Sequence, residues 1–149
     1  MTKKMILTLL LCSVLALGLC SCNSTKKEQT NRIESSYTVT EIENVSASIE
    51  NLSPTGATIV ITDKNEEPYT YGEWYQIEKE ENGKWIELET IIDDYGFNEI
   101  GYLVDDHHQV KFVIDWEWLY GKLSDGNYRI LKQVGQQYIA IPFGIATAT

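Results

Sequence analysis

An all-β fold, two antiparallel sheets packed face to face with about seven strands between them, is what this sequence predicts from residue 45 onward. Three observations carry the expectation. Short runs of alternating or β-branched residues recur between turn signals over roughly 105 residues. No segment after residue 44 sustains a 3.6-residue apolar period. Cys12, Cys20 and Cys22 all lie near the N-terminus, so that stretch has no disulfide framework and no Cys-based metal site. Its core must hold it together.

The elements follow in order. Val45, Ala47 and Ile49 alternate with polar residues, and Ser53-Pro54-Thr55-Gly56 makes a turn. Ala57 to Thr62 is a β-branched run, followed by a loop over 63–68. Trp74 to Lys79 and Lys84 to Leu88 flank Asn82-Gly83, which supplies the paired positive φ angles of a tight hairpin. Residues 89–107 are irregular and rich in Asp, Gly and aromatics. Val110, Phe112, Ile114 and Trp116 then alternate with Lys111 and Asp115 as a half-buried strand. Trp116 to Leu123 suits a short helical turn, closed by Ser124-Asp125-Gly126. Tyr128 to Val134 and Tyr138 to Phe143 complete the set; Pro142 lacks an N–H and assigns the last strand to a sheet edge or a bulge.

The N-terminus reads as an export signal, residues 1–21. Lys3 and Lys4 precede the apolar run from Met5 to Leu19. At ~1.5 Å per residue this run spans roughly 22 Å, short of the ~30 Å hydrocarbon core. Leu19-Cys20-Ser21-Cys22 resembles a lipobox, which implies diacylglyceryl transfer to the Cys22 thiol and cleavage before it. More than one acyl chain gives a durable anchor. Residues 23–44 are polar without a helical stripe and read, with the lipidated Cys22, as a tether over 22–44. The expected address is the extracytoplasmic face of the cell membrane.

Formal net charge is -10, and residues 1–21 carry two lysines and no acid, so the remainder is more negative still. Such a surface repels phosphate backbones and argues against nucleic-acid binding.

Asn51-Leu52-Ser53-Pro54-Thr55-Gly56-Ala57-Thr58, Tyr69 to Lys79 with Asn82-Gly83-Lys84-Trp85, and Val113 to Leu123 through Gly126 to Ile130 together resemble the bacterial immunoglobulin-like domain family of Gram-positive surface lipoproteins. The resemblance covers about residues 45–145 and implies an immunoglobulin-like sandwich over 45–149. It implies no reaction. Leu123 and Tyr128 resemble a tyrosine corner, where a phenol bonds back to upstream backbone. Trp85 or Trp74 is the expected core tryptophan.

Candidate chemistry is sparse. Asp105, Asp106, His107 and His108 could bind Zn²⁺ or Ca²⁺, and Asp93-Asp94 either joins them in space or, the favoured reading, is another acidic loop. Consecutive side chains diverge, however, and between Val104 and Val110 the cluster reads as a solvated turn. Nucleophilic catalysis has no Cys in the domain, no G-x-S-x-G and no separated base. Aromatics beside acids at 115–120 are either core packing or a platform for a sugar or peptide. Tyr69, Tyr71, Trp118 and Tyr120 are the candidate ligand contacts. Ser53 to Gly56 resembles the first loop of chagasin-like cysteine-protease inhibitors, whose other two loops have no counterpart here.

The expected function is therefore a lipid-anchored surface protein with a non-catalytic binding or structural module, no cofactor, and an extracellular or envelope protein or glycan as partner. The competing readings are a metal-binding protein or enzyme using Asp105 to His108, and a protease inhibitor.

Overall fold

The computed structural model describes residues 32–146. Seven strands and one helical turn follow in the order β1 (Val45–Glu50), β2 (Gly56–Asp63), β3 (Tyr71–Glu81), β4 (Lys84–Glu87), β5 (Gln109–Asp115), α1 (Glu117–Tyr120), β6 (Gly126–Val134) and β7 (Gln137–Ile145). They form a three-stranded sheet, β1-β2-β5, and a four-stranded sheet, β4-β3-β6-β7, with antiparallel pairing throughout. Each expected strand is present, and the expected helical turn is α1.

The period-two pattern sets which side chains face inward. On β5, Val110, Phe112 and Ile114 are buried while Lys111, Val113 and Asp115 are exposed. Ile59 and Ile61 from β2 meet Ile77, Ile130 and Ile141 from the opposite sheet in one core. Asn82 (φ 53°) and Gly83 (φ 76°) turn β3 into β4, the paired left-handed geometry the sequence requires there. Tyr128 donates its hydroxyl to the Ser124 carbonyl at 2.8 Å, completing the expected tyrosine corner. Pro142 lies on β7, an edge strand.

The core tryptophan is Trp116, not Trp85 or Trp74. Trp116 is fully buried and donates Nε1 to the Pro54 carbonyl at 2.9 Å. Alternation explains the difference. Tyr75 and Ile77 point inward on β3, so Trp74 points outward, and Trp85 pairs with the outward Glu80.

The tether expected over 22–44 does not extend as far as residue 44. Ile33 and Ser35 exchange backbone hydrogen bonds with Glu87 and Trp85 on the free edge of β4, and Thr40 donates to the Tyr138 carbonyl on the edge of β7. Those edges lie at opposite ends of the four-stranded sheet, so residues 33–40 cross its outer face. Midway, Tyr37 packs on Tyr138 (4.8 Å between ring centroids) and Trp74 (5.7 Å). Beneath the crossing, Leu131 and Glu78 are fully buried.

Lys132 points into the core between the sheets. Two extra residues on β3, between Tyr71 and Tyr75, break the register with β6. This bulge turns carbonyls away from the ladder. Lys132 Nζ donates to two of them, Gly72 at 2.6 Å and Trp74 at 2.9 Å, and sits 4.0 Å from the centre of the Phe112 ring. Burial lowers its pKa to about 8.

Candidate functional site

The loop from 88 to 108 runs between β4 and β5 without forming a strand beside β5. It touches the β5 backbone at the strand's first residue, where the Asp105 N–H donates to the Gln109 carbonyl; elsewhere Tyr102 exchanges a pair with Tyr71, and Ile91 donates to the Leu119 carbonyl. Among the described residues, none of the loop's backbone bonds reaches residues 110–115. Beyond Gln109 the outer edge of β5 is left without a strand partner.

A groove of about 420 Å³ follows that edge. One wall consists of five consecutive residues, Lys111 to Asp115. The other is made by Glu73, Tyr75, Phe97, Tyr102 and Trp118. Trp118 is 43% exposed and stands edge-on to Tyr95 and Phe97, with centroids 6.3 and 6.5 Å away. Tyr102 packs edge-on against Phe112 at 5.5 Å. Glu73 is held by the Tyr102 hydroxyl at 2.7 Å and the Asn98 amide at 2.8 Å. The Tyr102 hydrogen bond, then that from Asn98, lowers the carboxyl's pKa, and the same bond to Glu73 raises the Tyr102 phenol. At the lip, Val113 is 86% exposed. An apolar side chain so open, beside exposed Trp118, is what a contact surface presents.

The structure distributes the four expected aromatic contacts unevenly. Trp118 lines the groove. Tyr120 is buried behind it, its phenol raised by desolvation. Tyr69 is half-buried, near Gly135 on another side. Tyr71 is fully buried and has no face for a ligand. Its hydroxyl donates to Asp63 Oδ2 at 2.8 Å, and the Tyr69 N–H donates to the same oxygen at 2.8 Å. Asp63 Oδ1 accepts from the Asn65 N–H and side-chain amide. Burial would raise the Asp63 carboxyl, but these four bonds outweigh it and lower the pKa. Asp63 thus shapes the β2–β3 crossing and draws Tyr71 inward.

The acidic-histidine cluster is a turn. Asp105 Oδ1 accepts from the N–H groups of His107 and Gln109, both at 2.9 Å, and His108 adopts φ 60°. These bonds, led by the one from Gln109, lower the Asp105 carboxyl. Among the described residues no group of three or more His, Cys, Asp and Glu is placed to hold a metal, so Asp93-Asp94 does not complete one with Asp105, Asp106, His107 and His108. Ser53 to Gly56 is drawn inward: Ser53 Oγ accepts from the Gly56 N–H at 3.0 Å, and the Pro54 carbonyl takes bonds from Trp116 and Leu123. Cys22 lies outside the described residues.

Sequence reasoning missed Glu73, Phe97 and Tyr102. Phe97 and Tyr102 fall in the stretch with no period to read. The available signal was their apolar character in a segment otherwise rich in acids.

The Bacterial Ig-like domain family matches residues 26–143, starting upstream of β1 and taking in the crossing segment. The chain belongs to the bacterial Ig-like domain family. No curated protein and no solved structure matches it. As a bacterial Ig-like domain the body is a two-sheet module, and its β5 edge exposes strand backbone beside the apolar side chains of the groove. Among the described residues no helix is long and apolar enough to cross a membrane.

Proposed function

We propose that this bacterial Ig-like domain is the binding module of a lipid-anchored surface protein, and that it meets a protein partner through the β5 groove. The observation that carries the reading is the groove's wall of five consecutive residues, Lys111 to Asp115. A sugar site needs a patch of rings; a wall that follows one strand edge fits an extended polypeptide, which adds to a sheet through main-chain hydrogen bonds. Trp118 and Phe97 then cover the added strand from the side. The anchor is supported by Lys3-Lys4, the apolar run and Leu19-Cys20-Ser21-Cys22.

Two measurements test the reading. Mass spectrometry of the native protein should find an acylated N-terminal Cys22, and Cys22→Ala should leave the membrane fraction; retention of that variant would contradict the anchor. For the groove, the mature chain from residue 22 with Cys22→Ser is titrated with alternating apolar/polar nonapeptides and with cell-wall glycan fragments, following the part of the tryptophan emission that Trp118→Phe removes. Peptide binding that Val113→Pro abolishes supports the reading, because proline removes a strand-edge donor. Binding of glycan alone would overturn it.

A further inference from the structure

The open edge of β5 has a charge pattern that is complementary to itself. Its exposed residues are Lys111, Val113 and Asp115: a cation, an aliphatic side chain and an anion, two positions apart and on one face of the strand. If two such edges meet antiparallel with Val113 opposite Val113, Lys111 of each copy stands directly opposite Asp115 of the other. Both charges pair, and the most exposed apolar side chain of the described residues is covered by its own copy. Directly opposed residues on neighbouring antiparallel strands have Cβ atoms about 4.5–5.5 Å apart, within reach of such pairing.

Other registers lack this match. Slipping by two residues in one direction sets Asp115 against Gln109 and Lys111 against Val113. Slipping in the other sets Val113 against Asp115 and carries Lys111 past the strand end, to Glu117 in α1. Parallel pairing puts Lys111 against Lys111 and Asp115 against Asp115, which is repulsive. Pairing centred on Val113 is also the symmetric solution, since a two-fold axis places the same surface on both copies.

The present engagements of the two charges are weak enough to exchange. Lys111 reaches Glu50 at 3.5 Å between half-exposed side chains, a surface pair worth about 0–1 kcal/mol. Asp115 Oδ1 accepts from the Glu117 N–H at the exposed strand end. The edges of the four-stranded sheet differ: β4 and β7 are each bonded by the segment 33–40. In the three-stranded sheet that segment bonds neither β1 nor β5, and of these two the groove and the self-complementary charges lie on β5.

We infer that the occupant of the β5 groove is a second copy of this chain, joined edge to edge so that β1-β2-β5 continues into the partner's β5-β2-β1 as one six-stranded sheet. This deepens the groove reading above and rests on it. Two copies held on one membrane share a high local concentration, so a modest solution affinity suffices.

The test is the mature chain from residue 22 with Cys22→Ser, followed by sedimentation velocity up to about 500 µM, a range that captures weak association. A concentration-dependent dimer is expected. Lys111→Glu and Asp115→Lys should each weaken self-association by about tenfold or more, because each places like charges opposite one another. Mixed in equal amounts, the two variants should form a heterodimer: the two introduced charges, opposite in sign, then face each other, and the Asp115 kept by one chain faces the Lys111 kept by the other. Misfolding cannot produce that rescue, and unchanged circular dichroism of each variant checks the fold. A wild-type chain that stays monomeric, a dimer indifferent to both charges, or two variants that remain apart when mixed would overturn the inference. The groove reading is separated by the peptide titration: peptide binding sensitive to Val113→Pro in a chain that never dimerises leaves the groove standing and removes only the second copy.

Discussion

Arg129 donates Nε to Glu78 Oε2 at 2.6 Å on the outer face of the four-stranded sheet, and the Glu78 side chain has no exposure to solvent. A face that would ordinarily be wet is dry because residues 33–40 cross it. Arg129 also lies 4.5 Å from the centre of the Trp85 ring and bonds Ser35 Oγ at 3.3 Å. A charge this deep costs several kcal/mol in desolvation and is tolerated only with its partner present. Arg129→Ala should therefore destabilise the domain by about 3–5 kcal/mol, while Glu78→Met with Arg129→Met should lie close to the parent. Urea midpoints of the three proteins measure it; equal losses for single and double variants would contradict the pairing argument.

The crossing segment makes a second, sharper prediction. A chain beginning at Val45 retains all seven strands yet loses the cover over Glu78, Leu131 and Trp74. It should be less stable than a chain beginning at residue 26 by several kcal/mol, the cost of exposing an apolar patch and two edges. Tyr37→Ala in the longer chain should cost about 2–3 kcal/mol, the usual range for a half-buried aromatic in contact with two others. A simple tether would show neither loss.

Lys132 predicts a pH dependence of definite sign. Its pKa is about 8 in the folded protein, against ~10.4 in an unfolded chain. Between those values the unfolded chain binds a proton that the folded one does not, so stability rises with pH. Below about pH 8 both states are protonated and this gain is absent. The stability of the parent relative to Lys132→Met should climb from about pH 8 to 10, read as the difference between urea midpoints. Above pH 10 the phenols of Tyr71, Tyr75 and Tyr120, raised by burial, act in the opposite direction in both proteins.

Asp63 is one of the carboxyls, with Glu73 and Asp105, that shape the acid limb. Burial works to raise its carboxyl, yet bonds from Asn65, Tyr69 and Tyr71 hold it below the ordinary value. Stability from this group is present above the unfolded pKa near ~4 and is lost as pH falls through the lower folded value. Asp63→Ala should remove that component of acid unfolding and cost about 2–4 kcal/mol at neutral pH, since it strands the Tyr69 N–H and the Tyr71 hydroxyl. Thermal melts of both proteins at pH 3 and pH 7 check it.

The strands were legible because their information is local. The alternation in Val110 to Trp116, the β-branched run at 57–62 and the dipeptide Asn82-Gly83 each specify a conformation within a few residues. Tyr128 was legible for the same reason, its partner lying four residues upstream. The same alternation put Trp116 on the inward face, yet the core tryptophan was expected at Trp85 or Trp74, because hydrophobicity alone does not rank three tryptophans and the face of Trp74 and Trp85 is set by strand register. Residues 33–40 misled for a different reason. Their sequence is polar, and they dock only once the fold has brought Trp85, Arg129 and Tyr138 onto one surface. The groove was hidden most completely. It exists because no strand forms between β4 and β5, and a missing neighbour leaves no mark in the residues on either side.

Residues 33–40 also decide how the domain answers a pull. Force arriving through residue 32 meets the bonds of Ile33 and Ser35 to β4 first, then the Tyr37 ring wedged between Trp74 and Tyr138, and Thr40 last. Loaded from that end, these contacts would be expected to give way in sequence, like a zip, ahead of the ladders of the two sheets. Peeling that segment away would uncover the Glu78–Arg129 pair first, so under the proposed anchor the segment would act as a mechanical fuse, yielding several residues of length ahead of the seven-stranded body.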